Sequence, residues 1–213
     1  DFPFPTFWGP AAGQSTPQCS PDAVSRWIAE SAKWVESKHH PDLNLIYLPH
    51  LDYNLQRLGP GHPEIGKDYE RLDQIVGDLI QFFEREGVQV CLLSEYGISA
   101  VNRPIHLNRE FRKKGWLTVK EELGLEMLDY GQSRVFGVAD HQVCHIYIND
   151  PTIKNEVCDL VAGLDGVANV LDLEGKQQFG IDHERAGDLV AVAADDSWFT
   201  YYYWLNDQRA PDF

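Results

Sequence analysis

Methionine is almost missing from this sequence: Met127 is the only one in 213 residues, and the chain begins at Asp1. The expectation is a fragment, a processed chain or an excised domain. Basic residues are also scarce, 18 against 33 acidic ones, for a net charge of −15. Such a surface repels a phosphodiester backbone and has no basic stripe to track one, so nucleic acid is not an expected partner. A small anionic substrate would need a local cationic centre. No run is long and apolar enough to cross a bilayer, which takes about 20 such residues, so no membrane partner is expected either. There is no visible signal peptide and no Asn-x-Ser/Thr acceptor. Cysteine is limited to Cys19, Cys91, Cys144 and Cys158, with neither disulfide-framework nor metal-site spacing. Cys91 and Cys144 fall in apolar strand-like runs and Cys158 on an expected helix, so buried thiols are expected. They fit a reducing compartment, and a cytoplasmic location is the expectation. Repeats, low-complexity tracts and a clear second domain are absent as well.

What remains is 43% hydrophobic, enough for one α/β domain with a sizeable core across residues 1–213. Residues 1–19, rich in Pro, Gly and aromatics, suggest an irregular arm lying against it. The chain is organised around Leu43 to Val101. Leu43 to Leu48 is a short apolar run suited to a strand, and it leads into a polar loop holding His50, Asp52, Asn54, Gln56 and Arg57. From Pro63 and Glu64 a helix follows, with Tyr69, Leu72, Ile75, Val76, Leu79, Ile80 and Phe83 on one face. Gly87 supplies a left-handed cap. Val88 to Leu93 then reads as a second strand, apolar throughout, ending in Ser94, Glu95, Tyr96 and Gly97. Two strands joined by a helix are most simply parallel, which puts Asp52 and Glu95 just past strand carboxyl ends, the edge where open α/β sheets bind ligands. Each carboxylate can serve a metal or general-base site, or cap a neighbouring helix or turn.

On either side of this stretch the pattern continues. Ser20-Pro21-Asp22 starts a helix with Val24, Trp27, Ile28, Ser31 and Val35 inward, closed by Lys38, His39 and His40. Val101 to Ile105 is a loop, and Leu107 to Lys114 a helix ending at Gly115. Leu117 to Asp129 mixes strand and turn signals without resolving into an element. Strands are expected at Val135 to Ala139, Val143 to Ile148, Val167 to Leu171, Asp188 to Ala194 and Trp198 to Trp204, with a helix over Thr152 to Leu164. His141, in the loop after Asp140, is a candidate acid/base or substrate-binding group. His145 reads as a sheet histidine, and Asp182-His183-Glu184 as a structural turn.

The order of elements resembles the type I phosphodiesterase/nucleotide pyrophosphatase branch of the alkaline phosphatase superfamily. Members carry Asp-x-x-x-His-x-x-Gly-Pro after one strand, then a helix, then Ser-Asp-His-Gly after the next. The first motif stands here as Asp52-Tyr53-Asn54-Leu55-Gln56-Arg57-Leu58-Gly59-Pro60, the second as Ser94-Glu95-Tyr96-Gly97. The likeness continues through Ile105-His106-Leu107-Asn108, Gly115-Trp116-Leu117 and Arg185-Ala186-Gly187-Asp188-Leu189-Val190, so it covers most of the chain from Leu43 onward. It implies an alkaline-phosphatase-like α/β fold, with a central, largely parallel sheet sandwiched by helices.

The resemblance also implies a divalent metal, zinc in the family, at Asp52, Gln56, Glu95 and Tyr96. Asp52 keeps its type, whereas Glu95 adds a methylene. Gln56 offers a neutral amide in place of imidazole, and Tyr96 a phenol whose ordinary pKa is about 10. Zinc thereby loses its best ligands. An oxygen set suits manganese, magnesium or calcium, or the metal has been lost. His50 and His62 either supply nitrogen or are loop histidines facing water. Arg57 and Arg103 either clamp a phosphate or form surface salt bridges. Family members bring a further Asp ligand and a Thr or Ser nucleophile from a preceding strand, and another His from later in the chain. No counterpart of these stands in this sequence, so no catalytic residue is assigned and hydrolysis by these 213 residues alone is not expected. Two functions follow: a metal-dependent phosphodiesterase or pyrophosphatase acting on a nucleotide or other small phosphorylated substrate, or a catalytically silent relative that binds a phosphorylated ligand or a protein partner. Nothing in the sequence fixes the oligomeric state.

Overall fold

The computed structural model describes residues 21–211. The aromatic arm expected at residues 1–19, and Cys19, lie outside them. The chain divides into two compact units, Asp1–Ala100 and Val101–Phe213. No helix among the described residues is long and apolar enough to cross a membrane.

The first unit is built on three helices, α1 (Pro21–His39), α2 (His50–Leu58) and α3 (Ile65–Arg85). In α1, Asp22 sits in the first turn with Lys38 and His39 in the last, the arrangement that complements the helix dipole. The stripe expected of α3 largely turns inward. Ile75, Leu79 and Phe83 join Ala29 of α1 in a small core, against which Ile46, Leu48 and Val88 also pack. Gly87, at φ +76°, ends the helix as anticipated, and Val88 N–H closes onto Phe83 O at 2.9 Å. The polar loop expected after residue 48 is instead the helix α2. Leu51, Leu55 and Leu58 recur at four- and three-residue spacing, Leu55 is buried, and Gly59 stops the helix at φ +84°.

Residues 43–48 and 88–93, expected as parallel strands, join no sheet among the described residues. The first keeps the two-residue alternation of a strand. Ile46 and Leu48 face the helices, while Leu45 is 88% exposed and Tyr47 is exposed too. A strand is defined by the neighbour that pairs its backbone, and none of the described segments does so here. For the same reason Cys91, expected to be buried, is exposed.

The second unit carries the sheets. β4 (Val135–Asp140), β5 (Val143–Ile148), β6 (Val167–Leu171) and β7 (Leu189–Ala193) form one sheet in the order β4-β5-β7-β6, with every pairing antiparallel. A short β1 (Arg103–Ile105) pairs in parallel with β8 (Ser197–Phe199). The α/β class therefore stands. Its parallel direction was expected of the two unpaired segments in the first unit, and the sheet that does form runs antiparallel. The unassigned region after Leu117 is a hairpin of β2 (Thr118–Glu122) and β3 (Leu125–Asp129), turning on Leu123 and Gly124, both at positive φ.

Alternation decides which sheet face is core. Val135 and Ala139 from β4, Cys144, Ile146 and Ile148 from β5, and Leu189, Ala191 and Ala193 from β7 are buried. They pack with Leu107 and Phe111 of α4 (Leu107–Lys113), and with Val157 and Val161 of α5 (Lys154–Ala162). Burial pushes the Cys144 thiol up to about 12, so it is the inert thiol anticipated. β4 is an edge strand, and buried Asn108 closes that edge. Its amide donates to Gly137 O at 2.8 Å and accepts from Gly137 N at 2.7 Å, as a neighbouring strand would. Behind the hairpin, Arg112 makes a two-pronged ion pair with buried Glu126, and this contact holds the Glu126 carboxyl below its ordinary range. A last helix, α6 (Leu173–Gln178), is capped by Asp172 accepting from Gly175 N at 3.0 Å.

The backbone passes β5 most closely at Gly187, where a Cβ would lie 2.6 Å from Ile146 N and 2.7 Å from Ile146 O. These are backbone atoms within a sheet, so no side chain can yield. Gly187→Ala should destabilise the protein by about 2 kcal/mol or more, the scale of overpacking in a rigid core. Urea unfolding monitored by tryptophan fluorescence would read it; a variant as stable as the parent would show that the loop can move aside.

Candidate functional site

Helix α2 places Asp52 and Gln56 one turn apart on the same face, because residues i and i+4 are neighbours on a helix surface. Gln56 Nε2 accordingly donates to Asp52 Oδ1 at 2.7 Å. Forty-four residues further on, the segment after α3 returns, and Tyr96 Oη donates to the same Asp52 Oδ1, also at 2.7 Å. Ser94 Oγ donates to Tyr96 O at 2.7 Å, which closes the turn that presents the phenol. One carboxylate oxygen thus holds two neutral donors, one from each sequence motif.

The electrostatic consequence falls on Tyr96. Its hydrogen bond to Asp52 comes first, then partial burial and the negative charge of Asp52, and together they push the phenol well above its ordinary value. The phenol keeps its proton and stays a donor.

On the other side of α2 lies a second polar group. Asn54 Nδ2 donates to Asp68 Oδ2 at 2.6 Å, and Arg57 Nη2 donates to Asn54 Oδ1 at 2.8 Å. His50 is fully buried, with Nε2 3.7 Å from Asp68 Oδ1 and no hydrogen-bond partner among the described residues for either ring nitrogen. Burial lowers its pKa, with Asp68 opposing. His50 therefore turns toward α3 rather than joining Asp52. His62 Nδ1 accepts from Glu64 N at 3.3 Å, in a turn. Buried Asp68, bonded to half-buried Asn54, was not singled out from the sequence. Asp68 occupies an inward position of α3, and an acidic residue in an apolar stripe is the only signal that marks it.

The remaining predicted site residues are placed as follows. Glu95 is exposed at a bend, and no hydrogen bond or ion pair among the described residues holds its carboxylate. The structure thus brings Asp52 together with Gln56 and Tyr96, and shows no contact between Asp52 and Glu95. In the second unit, Arg103 Nη1 donates to Asp165 Oδ1 at 2.6 Å, and Nη2 lies 3.5 Å from Asp196. His141 forms the β4–β5 turn at φ +53°, exposed, with Nε2 3.7 Å from Asp140. His145 Nδ1 accepts from Gly187 N at 3.2 Å, the satisfied sheet histidine expected. His183 Nδ1 accepts from Arg185 N at 3.1 Å, so that turn is structural.

A family model described as type I phosphodiesterase/nucleotide pyrophosphatase matches residues 14–212. The chain belongs to that family. Among solved structures, murine ectonucleotide pyrophosphatase/phosphodiesterase 5 in complex with AMP is similar at 20% identity and a TM-score of 0.58, over 84% of this chain and 45% of that one. Phosphonoacetate hydrolase from Sinorhizobium meliloti, in complex with phosphonoformate, is similar at 17% identity and a TM-score of 0.51, over 89% of this chain and 44% of that one. An uncharacterised pyrophosphatase/phosphodiesterase of Schizosaccharomyces pombe is 30% identical over 96 residues, 42% of this chain and 19% of that protein. The chain thus spans less than half the length of these relatives. At such identities the solved structures establish the fold, α/β and alkaline-phosphatase-like.

Type I phosphodiesterases are generally metal-dependent, so the four aligned positions can be tested against a divalent cation. Among the described residues, no three His, Cys, Asp or Glu side chains gather to hold a metal ion. Gln56 turns its amide donor, not its oxygen, to Asp52, and Tyr96 does the same with its proton. Two donors facing one carboxylate oxygen do not fit a cation at that oxygen.

The Tyr96 contact has a spectroscopic signature. Absorbance at 295 nm during alkaline titration should show a group of late-ionising tyrosines, since Tyr53 and Tyr203 are raised as well. The group should lose one member in Tyr96→Phe, and one should move back toward the ordinary value of about 10 in Asp52→Asn. Titration curves superimposable for the parent and Asp52→Asn would exclude the bond.

Proposed function

We propose that the protein carrying this chain hydrolyses esters or anhydrides of phosphate on small molecules, with Asp52, Gln56 and Tyr96 forming part of the phosphoester site. The carrying observation is the meeting of the two motifs, Tyr96 Oη on Asp52 Oδ1 at 2.7 Å across 44 residues. Family membership supports the reaction class. A nucleotide monophosphate bound by one structural relative and a phosphonate analogue bound by another support a small, phosphorylated ligand.

In this reading, Asp52 holds Gln56 and Tyr96 through Oδ1 and keeps Oδ2 as the acceptor that orients a hydroxyl or water against phosphorus. The Tyr96 proton stays directed at Asp52, while the second N–H of the Gln56 amide is a neutral donor suited to a phosphoryl oxygen. Arg57, on the same helix, spends one nitrogen on Asn54 and retains donors for an anion. Arg103 is engaged by Asp165 and Asp196, so any phosphate contact would have to displace them. His141 is exposed, and among the described residues no hydrogen bond orients its ring, which suits transient contact with substrate better than proton transfer. No step is assigned to a metal.

The second reading is a silent relative that binds a phosphorylated ligand. One observation favours it: both donors are committed to Asp52 Oδ1. Turnover of bis(p-nitrophenyl) phosphate by the protein carrying this chain separates the two. Hydrolysis reduced about 100-fold or more in Asp52→Ala, the scale of a lost acid/base group, is the expected result. AMP binding weakened in Arg57→Ala, without any turnover, would establish the silent reading instead.

A further inference from the structure

Taking Asp52, Gln56 and Tyr96 as the site just proposed, we infer that a phenol proton, rather than a divalent cation, joins the two motifs, and that the site takes no zinc. A carboxylate oxygen has two lone pairs, and Asp52 Oδ1 commits both, one to Gln56 Nε2 and one to Tyr96 Oη, each at 2.7 Å. A cation at that oxygen would have to release both bonds. It would then need Gln56 to reverse its amide and Tyr96 to lose a proton, since phenol oxygen binds metals well only as phenolate.

Neither histidine beside the first motif offers nitrogen to compensate. His50 is buried and turned toward Asp68, 3.7 Å away. His62 uses Nδ1 to close its own turn on Glu64. Zinc sites are built from imidazole, thiolate and carboxylate, and among the described residues no three such groups converge. At Asp52 Oδ1, by contrast, two neutral donors take both lone pairs, and Ser94 braces the backbone that carries the phenol. The cross-link between α2 and the segment after α3 is thus made without metal.

Calorimetric titration with zinc chloride and thermal unfolding with or without EDTA test this on the protein carrying this chain. The expected result is a zinc isotherm identical in the parent and Asp52→Ala, and a Tm that EDTA leaves unchanged. Installing histidine at both motif positions, Gln56→His with Tyr96→His, should create one zinc event about tenfold tighter or more, with a zinc-dependent rise in Tm. Should the double variant fail to fold, the comparison of parent with Asp52→Ala still decides. One zinc bound by the parent at submicromolar Kd, and weakened in Asp52→Ala, would overturn the inference. Turnover dependent on that zinc would overturn it while sparing the proposed hydrolysis. No turnover under any condition, with a zinc isotherm indifferent to Asp52, would sink the hydrolysis and spare the inference.

Discussion

The two motifs of this chain depend on a shared acceptor. Asp52 Oδ1 receives one hydrogen bond from within its own helix and one from a segment 44 residues away. The first follows from helix geometry alone, since Gln56 is one turn on. The second requires α3 and its Gly87 cap to return the chain to the same place. A charged acceptor strengthens both bonds and keeps the phenol protonated. Everything said about the site, including its poor fit to a cation, follows from those two donors facing one oxygen.

A division of labour runs through the rest of the molecule. The first unit carries these two motifs on helices and on segments that join no sheet among the described residues, of which only 43–48 alternates like a strand. The second carries the large core, an antiparallel sheet backed by α4 and α5 and closed at its edge by the Asn108 amide. Aromatic residues beyond β8 add a local framework. Arg109 lies 5.2 Å from the Tyr202 ring centroid, and its Nε donates to Trp204 O at 2.7 Å. That framework explains why the expected strand over Trp198 to Trp204 stops at Phe199. Thr200 N makes the last bond to Ile105, where β1 ends, and the chain then turns onto the arginine.

Periodicity made much of this legible. The α3 stripe, the glycine stops at Gly87 and Gly115, and β4 through β7 are all visible in the sequence, because core burial writes directly into spacing. Helix α2 was obscured: its polar residues drew attention while Leu51, Leu55 and Leu58 carried the helical signal. The β2–β3 hairpin was obscured by charged, exposed strands and by Leu123, an unusual residue at positive φ. At 43–48 and 88–93 the extended character was legible and the pairing was not, since a ladder depends on a neighbour that local sequence does not specify. For the site, the motifs pointed to Asp52 and Glu95 converging, whereas Tyr96 is the residue that bonds Asp52. That Tyr96 rather than Glu95 reaches Asp52 depends on the geometry of one turn, which spacing cannot resolve.

A double-mutant cycle on Asp52 and Tyr96, with Asp52→Asn, Tyr96→Phe and the pair together, measures the shared hydrogen bond most directly. Chemical unfolding of all four proteins should give a coupling energy of about 1 kcal/mol, the scale of one such bond at a partly exposed site. Strict additivity of the two substitutions would mean that the motifs do not meet as described, and would contradict the account of the site.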